Sequence, residues 1–343
     1  VHGFDLIQGQ HLALELLTTL LRKGHVPHAL IFAGIDGIGK QTTARIFAMA
    51  CNCLDLQPYP ASKTTAEPGP RVNPCGRCRN CRRIRSDNHP DVIHVRPSGR
   101  LIRIAVIRDL IQRLAIKPHE AGRRVVVMAE AHYLNPEAGN ALLKLLEEPP
   151  EKTHFILTAR QTSDLLPTIA SRGQQIRFRP LAPETLATLL AANEGLTPED
   201  AAAASVLSGG SYTRALAMTG EGWIPKRRWL AGEISRLEDR PTAVLLALAE
   251  KLAAGKQQLP DALGWLLSWY RDLIVYPFRP DQILNRDLDR HLRAAVAHGD
   301  LQAGIRGMQA VQGALKALQE NANPRLTMES LVLQLAAVQG PLA

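Results

Sequence analysis

Cysteine is scarce in this 343-residue chain: there are five, and none lies outside positions 51–81. A disulfide-stapled secreted fold is small and dense in cysteine, so that class is excluded. Aromatic residues make up only 4% of the chain, while Leu and Ala are abundant. The expectation is a helix-rich protein. No apolar run approaches the ~18 residues of a membrane span, so no membrane partner is expected. Val1-His2-Gly3-Phe4-Asp5 has no secretory-signal character, and a cytoplasmic location is expected. Acidic residues are in deficit, 32 Asp and Glu against 41 Lys and Arg, for a net charge of +9. Such a balance permits binding to nucleic acid or an acidic partner but does not require it.

The most informative shortage is of metal ligands beside a phosphate-binding loop. An apolar run, Ala29 to Ala33, leads into Gly34-Ile35-Asp36-Gly37-Ile38-Gly39-Lys40-Gln41-Thr42 and then a helix-like stretch. Strand, glycine-rich loop and helix in that order form the P-loop pattern. Gly34, Gly37 and Gly39 let backbone N–H groups close round phosphates, and Lys40 supplies a cation. The next position should carry a Ser or Thr hydroxyl for Mg²⁺; it is Gln41. In P-loop ATPases a later strand ends in Asp-Glu, the Asp for the metal and the Glu for the attacking water. Here Val125 to Met128 is followed by Ala129-Glu130. Glu130 stands at the base position and Ala129 at the metal position. Phosphoryl transfer relies on positioning and on Mg²⁺ bridging the outer phosphates, so two losses converging on one ion predict binding of ATP or ADP without hydrolysis, or an unused site.

Length predicts two or three domains. Helices are expected over 10–23, 40–52, 103–116 and 136–148, and strands over 29–33, 91–95, 123–128 and 154–158. Pro58, Pro60, Pro68, Pro70 and Pro74 mark a stretch read as irregular. After Pro180 strand-like segments cease. The expected organisation is an α/β P-loop domain with a parallel sheet over 1–180, a small helical domain over 181–220, broken at Gly209-Gly210-Ser211, and an all-α domain over 221–343.

Cys75, Cys78 and Cys81 recur at three-residue intervals, with Cys51 and Cys53 upstream. Four thiolates suit a closed, tetrahedral structural Zn²⁺. Cys53, Cys75, Cys78 and Cys81 are the expected ligands within an insertion of about 51–85, with Cys51 as the alternative to Cys53. Arg71, Arg77, Arg79, Arg82, Arg83 and Arg85 read as counter-charge and solvated face before they read as a DNA-reading patch.

These residues resemble a known family. Gly9-Gln10, His28-Ala29-Leu30, the loop from Gly34 to Lys40, the cysteines, Glu130-Ala131-His132, the run Asn140 to Pro150, Ser171-Arg172 and Gly209-Gly210-Ser211 with Arg214-Ala215-Leu216 are similar to the delta-prime subunits of the bacterial DNA polymerase III clamp loader and to their gamma/tau paralogues. The match runs from Phe4 to about Leu216, and the run 140–150 is its most specific part. The resemblance implies an AAA+ module, a helical lid and a C-terminal collar. It implies assembly with gamma/tau- and delta-type subunits into a loader that places a sliding clamp on primed DNA. It makes Thr158 the sensor on the fourth core strand, Arg214 the lid sensor, and Arg172 an arginine finger acting in trans on a neighbour's ATP. Gly173 departs from the family's Ser-Arg-Cys. Ordinary alternatives are a buried strand Thr, a surface helix Arg, and an Arg paired with a local carboxylate. Gln41 and Ala129 favour the non-hydrolysing delta-prime type. The competing readings are an active gamma/tau-type ATPase and a stand-alone zinc- and DNA-binding protein.

Overall fold

The computed structural model describes residues 3–59, 71–99, 101–118, 122–220, 223–255, 259–298 and 300–339. The chain divides into two compact units, the first comprising 1–185 with 211–213, the second 186–210 with 214–343. The first unit carries strands β1 (Ala29–Ala33), β2 (Gln57–Tyr59), β3 (Arg71–Asn73), β4 (Val92–Val95), β5 (Arg124–Met128), β6 (Thr153–Ala159) and β7 (Gln174–Arg177). Its helices are α1 (His11–Lys23), α2 (Lys40–Cys51), α3 (Arg79–Arg85), α4 (Ile104–Ala115), α5 (Pro136–Glu147) and α6 (Pro167–Ala170).

Five strands form one parallel sheet in the order β4-β5-β6-β1-β7. Every residue of β1, β5 and β6 is buried, because helices cover both faces of a parallel sheet and leave no polar side. With the short hairpin set aside, the core strands lie in the order 2-3-4-1-5, and the last strand returns beside the first. That is the AAA+ arrangement expected from the sequence. Local signals set the element ends. Asn135 caps α5 by accepting from the Ala138 N–H at 2.9 Å, and Pro136 occupies the first turn, where its missing N–H costs nothing. Arg124 opens β5 fully buried, its guanidinium donating to the carbonyls of Leu114 and Ile116 at the end of α4.

Two features differ from the sequence expectation. The proline-marked stretch is not wholly irregular: β2 pairs antiparallel with β3, placing Pro58 opposite Val72. A proline is tolerated there because a two-stranded ribbon has free edges. Pro60, Pro68 and Pro70 lie outside the described residues. The fifth sheet strand, β7, is an edge strand with only Ile176 buried, and so lacks an apolar run.

The second unit holds the helices α7 (Pro183–Glu194), α8 (Pro198–Leu207), α9 (Tyr212–Gly220), α10 (Trp223–Ile234), α11 (Thr242–Ala254), α12 (Leu259–Val275), α13 (Asp289–His298), α14 (Leu301–Gln319) and α15 (Pro324–Gln339), with the first residues of α7 and α9 belonging to the first unit. A buried polar knot joins α10, α12 and the segment before α13. Asp272 is fully buried and accepts from the N–H groups of Leu284 (3.0 Å) and Asn285 (2.8 Å) and from Asn285 Nδ2 (2.7 Å). The Asn285 Oδ1 accepts from Trp265 Nε1 at 3.0 Å, and buried Arg227 pairs with Asp287. Removing one acceptor strands several donors at once. Asp272→Ala should therefore destabilise this unit by about 3 kcal/mol or more, read as a lower urea midpoint. An unchanged midpoint would show that water can satisfy the knot.

Candidate functional site: a phosphate loop without metal ligands, a thiol cluster and an outlying arginine

The phosphate loop hangs from the C-terminal end of β1, between β6 and β7. The Gly34 N–H donates to Ala159 O at 3.2 Å and the Phe178 N–H to Ala33 O at 2.7 Å. Gln10, almost fully buried, braces it from outside: its Nε2 donates to Arg179 O (2.7 Å) and lies 3.4 Å from Ile38 O, and its Oε1 accepts from the Arg179 N–H (2.9 Å). Gly37 has φ +77°, and a Cβ there would collide with Ser211 and Thr213. The Tyr212 N–H donates to Gly37 O at 2.9 Å. Residues 211–213 thus pack on the loop, and only glycine fits beneath them.

Lys40 is 6% exposed. Its ammonium donates to Gly34 O and, at 2.7 Å, to Ile35 O, and it lies 3.5 Å from Asp36 Oδ1. Burial draws the Lys40 pKa below its ordinary value, against the raising effect of Asp36 and Glu130. Asp36 also accepts from Arg160 Nε at 2.7 Å. Gln41 and Thr42 are exposed, while the buried Thr43 turns its hydroxyl back to Gly39 O at 2.8 Å. Ala129 is buried and offers a methyl group where a metal-binding carboxylate would stand. Glu130 adopts a left-handed conformation, φ +51°, uncommon outside glycine. Its N–H donates to the buried Thr158 hydroxyl at 2.9 Å. Thr158 therefore acts first on the backbone of Glu130.

Arg172 lies elsewhere. Gly34 follows the C-terminal end of β1, whereas Arg172 precedes the N-terminal end of β7, whose Gln174 pairs with Leu30 near the start of β1. The two sit at opposite ends of adjacent parallel strands, separated by roughly 15 Å or more along the strand direction. Arg172 Nη2 donates to Glu147 Oε1 at 2.6 Å, and Nη1 donates to Thr168 O at 2.8 Å and approaches Ser171 Oγ at 3.4 Å. A guanidinium has five N–H donors, so donors remain, and its side chain is 35% exposed. Arg214 belongs to the second unit, with Nε 3.6 Å from Asp261 Oδ1.

The thiols of Cys53, Cys75, Cys78 and Cys81 lie within 4.8 Å of one another. A tetrahedral Zn²⁺ with bonds of about 2.3 Å needs sulfurs about 3.8 Å apart, so the set fits with small adjustments. Backbone N–H groups already aim at sulfur: Cys75 to Cys53 Sγ (3.2 Å), Cys78 to Cys75 Sγ (3.4 Å) and Cys81 to Cys78 Sγ (3.4 Å). Cys78 caps α3 and Cys81 lies within it, so these two sit on a short helix and not on an open loop. Burial alone would raise the Cys78 thiol, but N–H groups of Cys81 and Leu54 and the neighbouring thiols bring it down to about 7. Cys51 stands outside the set, its thiol pushed up to about 12 by burial, which Arg123 only partly offsets. Arg77, one of the expected counter-charges, is drawn to Asp55 at 3.2 Å.

Sequence reasoning passed over Asp36, Arg160 and Glu147. Asp36 stands in plain view inside the loop and Glu147 inside the run 140–150. Arg160 and Arg172 are brought to them only by the fold.

A five-stranded parallel sheet of AAA+ order, with a glycine-rich loop and Lys40 following its β1 strand, defines a P-loop module of the AAA+ class. The family model described as "DNA polymerase III, delta subunit" matches residues 9–182, and a second model, for the C-terminal region of the delta subunit, matches residues 223–337. The chain belongs to the DNA polymerase III delta-subunit family. It is 31% identical over 325 residues to the delta' subunit of Pseudomonas aeruginosa, covering 92% of this chain and 93% of that protein. It is 28% identical over 326 residues to the delta' subunit of Bacillus subtilis, covering 94% of each. With the gamma/tau subunit of Mycobacterium tuberculosis it shares 29% over 367 residues, 97% of this chain but 61% of that longer protein. A solved structure of a gamma subunit-related protein from Thermotoga maritima superposes with a TM-score of 0.49 at 18% identity, over 94% of this chain and 99% of that one. Among the described residues no helix is long and apolar enough to cross a membrane.

The purified chain should carry one zinc. Cys53→Ser should lower the zinc found by elemental analysis to well under one per chain, while Cys51→Ser should leave it near one. The reverse pattern would reassign the first ligand.

Proposed function

We propose that this chain is a clamp-loader subunit of the delta-prime type: it does not hydrolyse ATP itself but completes the ATP site of a neighbouring gamma/tau-type subunit with Arg172. The observation that carries this reading is the placement of the phosphate loop and Arg172 at opposite ends of the parallel strands. The end with the phosphate loop has Gln41 and Ala129 where Mg²⁺ needs ligands. The opposite end presents Arg172, too far from its own loop to serve it. A partly exposed arginine with donors to spare suits an acceptor on another molecule. The similarity to delta' subunits over nearly their whole length supports the same reading.

In this reading residues 1–180 are the AAA+ domain, 181–220 the lid carrying Arg214, and 221–343 the collar through which the subunits assemble. Structural Zn²⁺ on Cys53, Cys75, Cys78 and Cys81 stiffens the insertion at 51–85. The sliding clamp and primed DNA are partners of the complex. Thr158 keeps a sensor position but works through Glu130. The Glu147 ion pair holds the Arg172 guanidinium near one orientation. Both partners are substantially exposed, so the pair is worth at most ~1 kcal/mol and yields readily to a phosphate. A finger in trans can contribute ~10³–10⁵ in rate, or roughly 4–7 kcal/mol of barrier.

The isolated chain should show no ATPase above background; turnover near ~1 s⁻¹ would instead favour the gamma/tau-type reading. In a reconstituted loader, Arg172→Ala should leave assembly and zinc content intact and reduce clamp-dependent ATP turnover partially, because this subunit borders one site among several. Arg172→Lys should recover little, since an ammonium lacks the planar fork that grips two oxygens. Wild-type turnover by the Ala variant would make Arg172 a structural residue.

A further inference from the structure

Asp36 is an acid placed among cations that a phosphate loop gathers for phosphate. Its two carboxylate oxygens divide between them: Oδ1 lies 3.5 Å from Lys40 Nζ, and Oδ2 accepts from Arg160 Nε at 2.7 Å. Lys40 extends from the first turn of α2 and Arg160 directly follows β6. Asp36 therefore ties the loop to both the helix it opens and the strand beside it. Lys40 completes its coordination with the carbonyls of Gly34 and Ile35, which leaves the buried ammonium satisfied by its own loop. Glu130 adds a further negative charge to the field felt by Lys40 and Arg160. Two cations and two carboxylates leave the site near neutrality.

We propose that Asp36 is the ligand-determining residue of this loop: its carboxylate stands in for a nucleotide phosphate, keeps the loop assembled, and turns away nucleoside di- and triphosphates. A polyphosphate bringing three or four negative charges would have to displace this carboxylate from both cations and lie beside it. Neither Gln41 nor Ala129 supplies a metal ligand to offset the repulsion. The loop is then a folded, self-filled element and not a degenerate one. The inference rests on the non-hydrolysing reading of the loop but not on Arg172.

The test is titration of the full chain with the fluorescent N-methylanthraniloyl derivatives of ADP and ATP, with and without Mg²⁺. Asp36 is about half exposed, so Asp36→Asn and Asp36→Ser should both fold, as checked by circular dichroism, and each keeps the proposal testable if the other does not. Wild type should bind weakly. Each variant should bind at least ~10-fold more tightly, the effect of removing one nearby like charge after generous screening. Adding Lys40→Ala to either variant should abolish the gain. Two results would overturn the proposal: no gain over wild type in a folded variant, or a gain that survives loss of Lys40. Tight binding by wild type without turnover would overturn it while leaving the non-hydrolysing function standing. Turnover by wild type would remove that function as well.

Discussion

Cations collected to meet phosphate repel one another and resist burial until an anion joins them. This constraint is met at four of the described basic residues. Lys40 and Arg160 meet Asp36, Arg172 meets Glu147, and Arg214 meets Asp261. The pairs differ in burial, and that difference decides what each can do. Lys40 is buried beneath its loop and satisfied by two carbonyls as well as an acid, so it is costly to extract. Arg172 is held at the surface by an exposed pair that exchanges at little cost. A loop whose cation is fixed inward and an arginine that is loosely held outward suit a subunit that gives to a neighbouring site more than it uses at its own.

The direction of the strands turns this charge pattern into an assembly argument. In a parallel sheet every loop after a strand emerges at the C-terminal ends of the strands and every lead-in at their N-terminal ends. β1 delivers the phosphate loop to the first of these ends, and β7 receives Arg172 at the second. No side-chain rotation closes such a gap. The proposed trans role of Arg172 requires an assembly that brings the second end of one module onto the first end of the next. Under that proposal each subunit's two ends serve different sites, and Gln41 and Ala129 at its own loop are tolerable.

Much of the first unit was legible because its core strands are buried on both faces. Ala29 to Ala33 and Val125 to Met128 read as strands for the same reason that they lie in the middle of the sheet. Pro136 marked the first turn of α5. What escaped was polar or distant. Strand β7 has one inward residue and gives no apolar run. The hairpin of Gln57–Tyr59 with Arg71–Asn73 is short, carries a proline and is closed by a long connection. The cysteine spacing drew attention to the thiols that the fold gathers, and the position of Cys51 outside the set of mutually close sulfurs separates it from them, a distinction spacing alone left open. Asp36–Arg160 spans 124 residues and Glu147–Arg172 spans 25. Ion pairs across such separations leave no periodic trace in a sequence. The contact of residues 211–213 with Gly37 is of the same kind: only the fold shows that one rests on the other.

The central claim is that Arg172 exchanges an intramolecular carboxylate for a neighbour's phosphate. The most direct measurement is a structure of this chain assembled with a gamma/tau-type ATPase whose site holds ADP and a metal fluoride mimic of the transferred phosphoryl group. The account predicts the Arg172 guanidinium within hydrogen-bonding distance of the mimic, about 2.7–3.0 Å, with no nucleotide on this chain's own loop. An Arg172 still confined to Glu147 and Thr168, remote from an occupied neighbouring site, would contradict it.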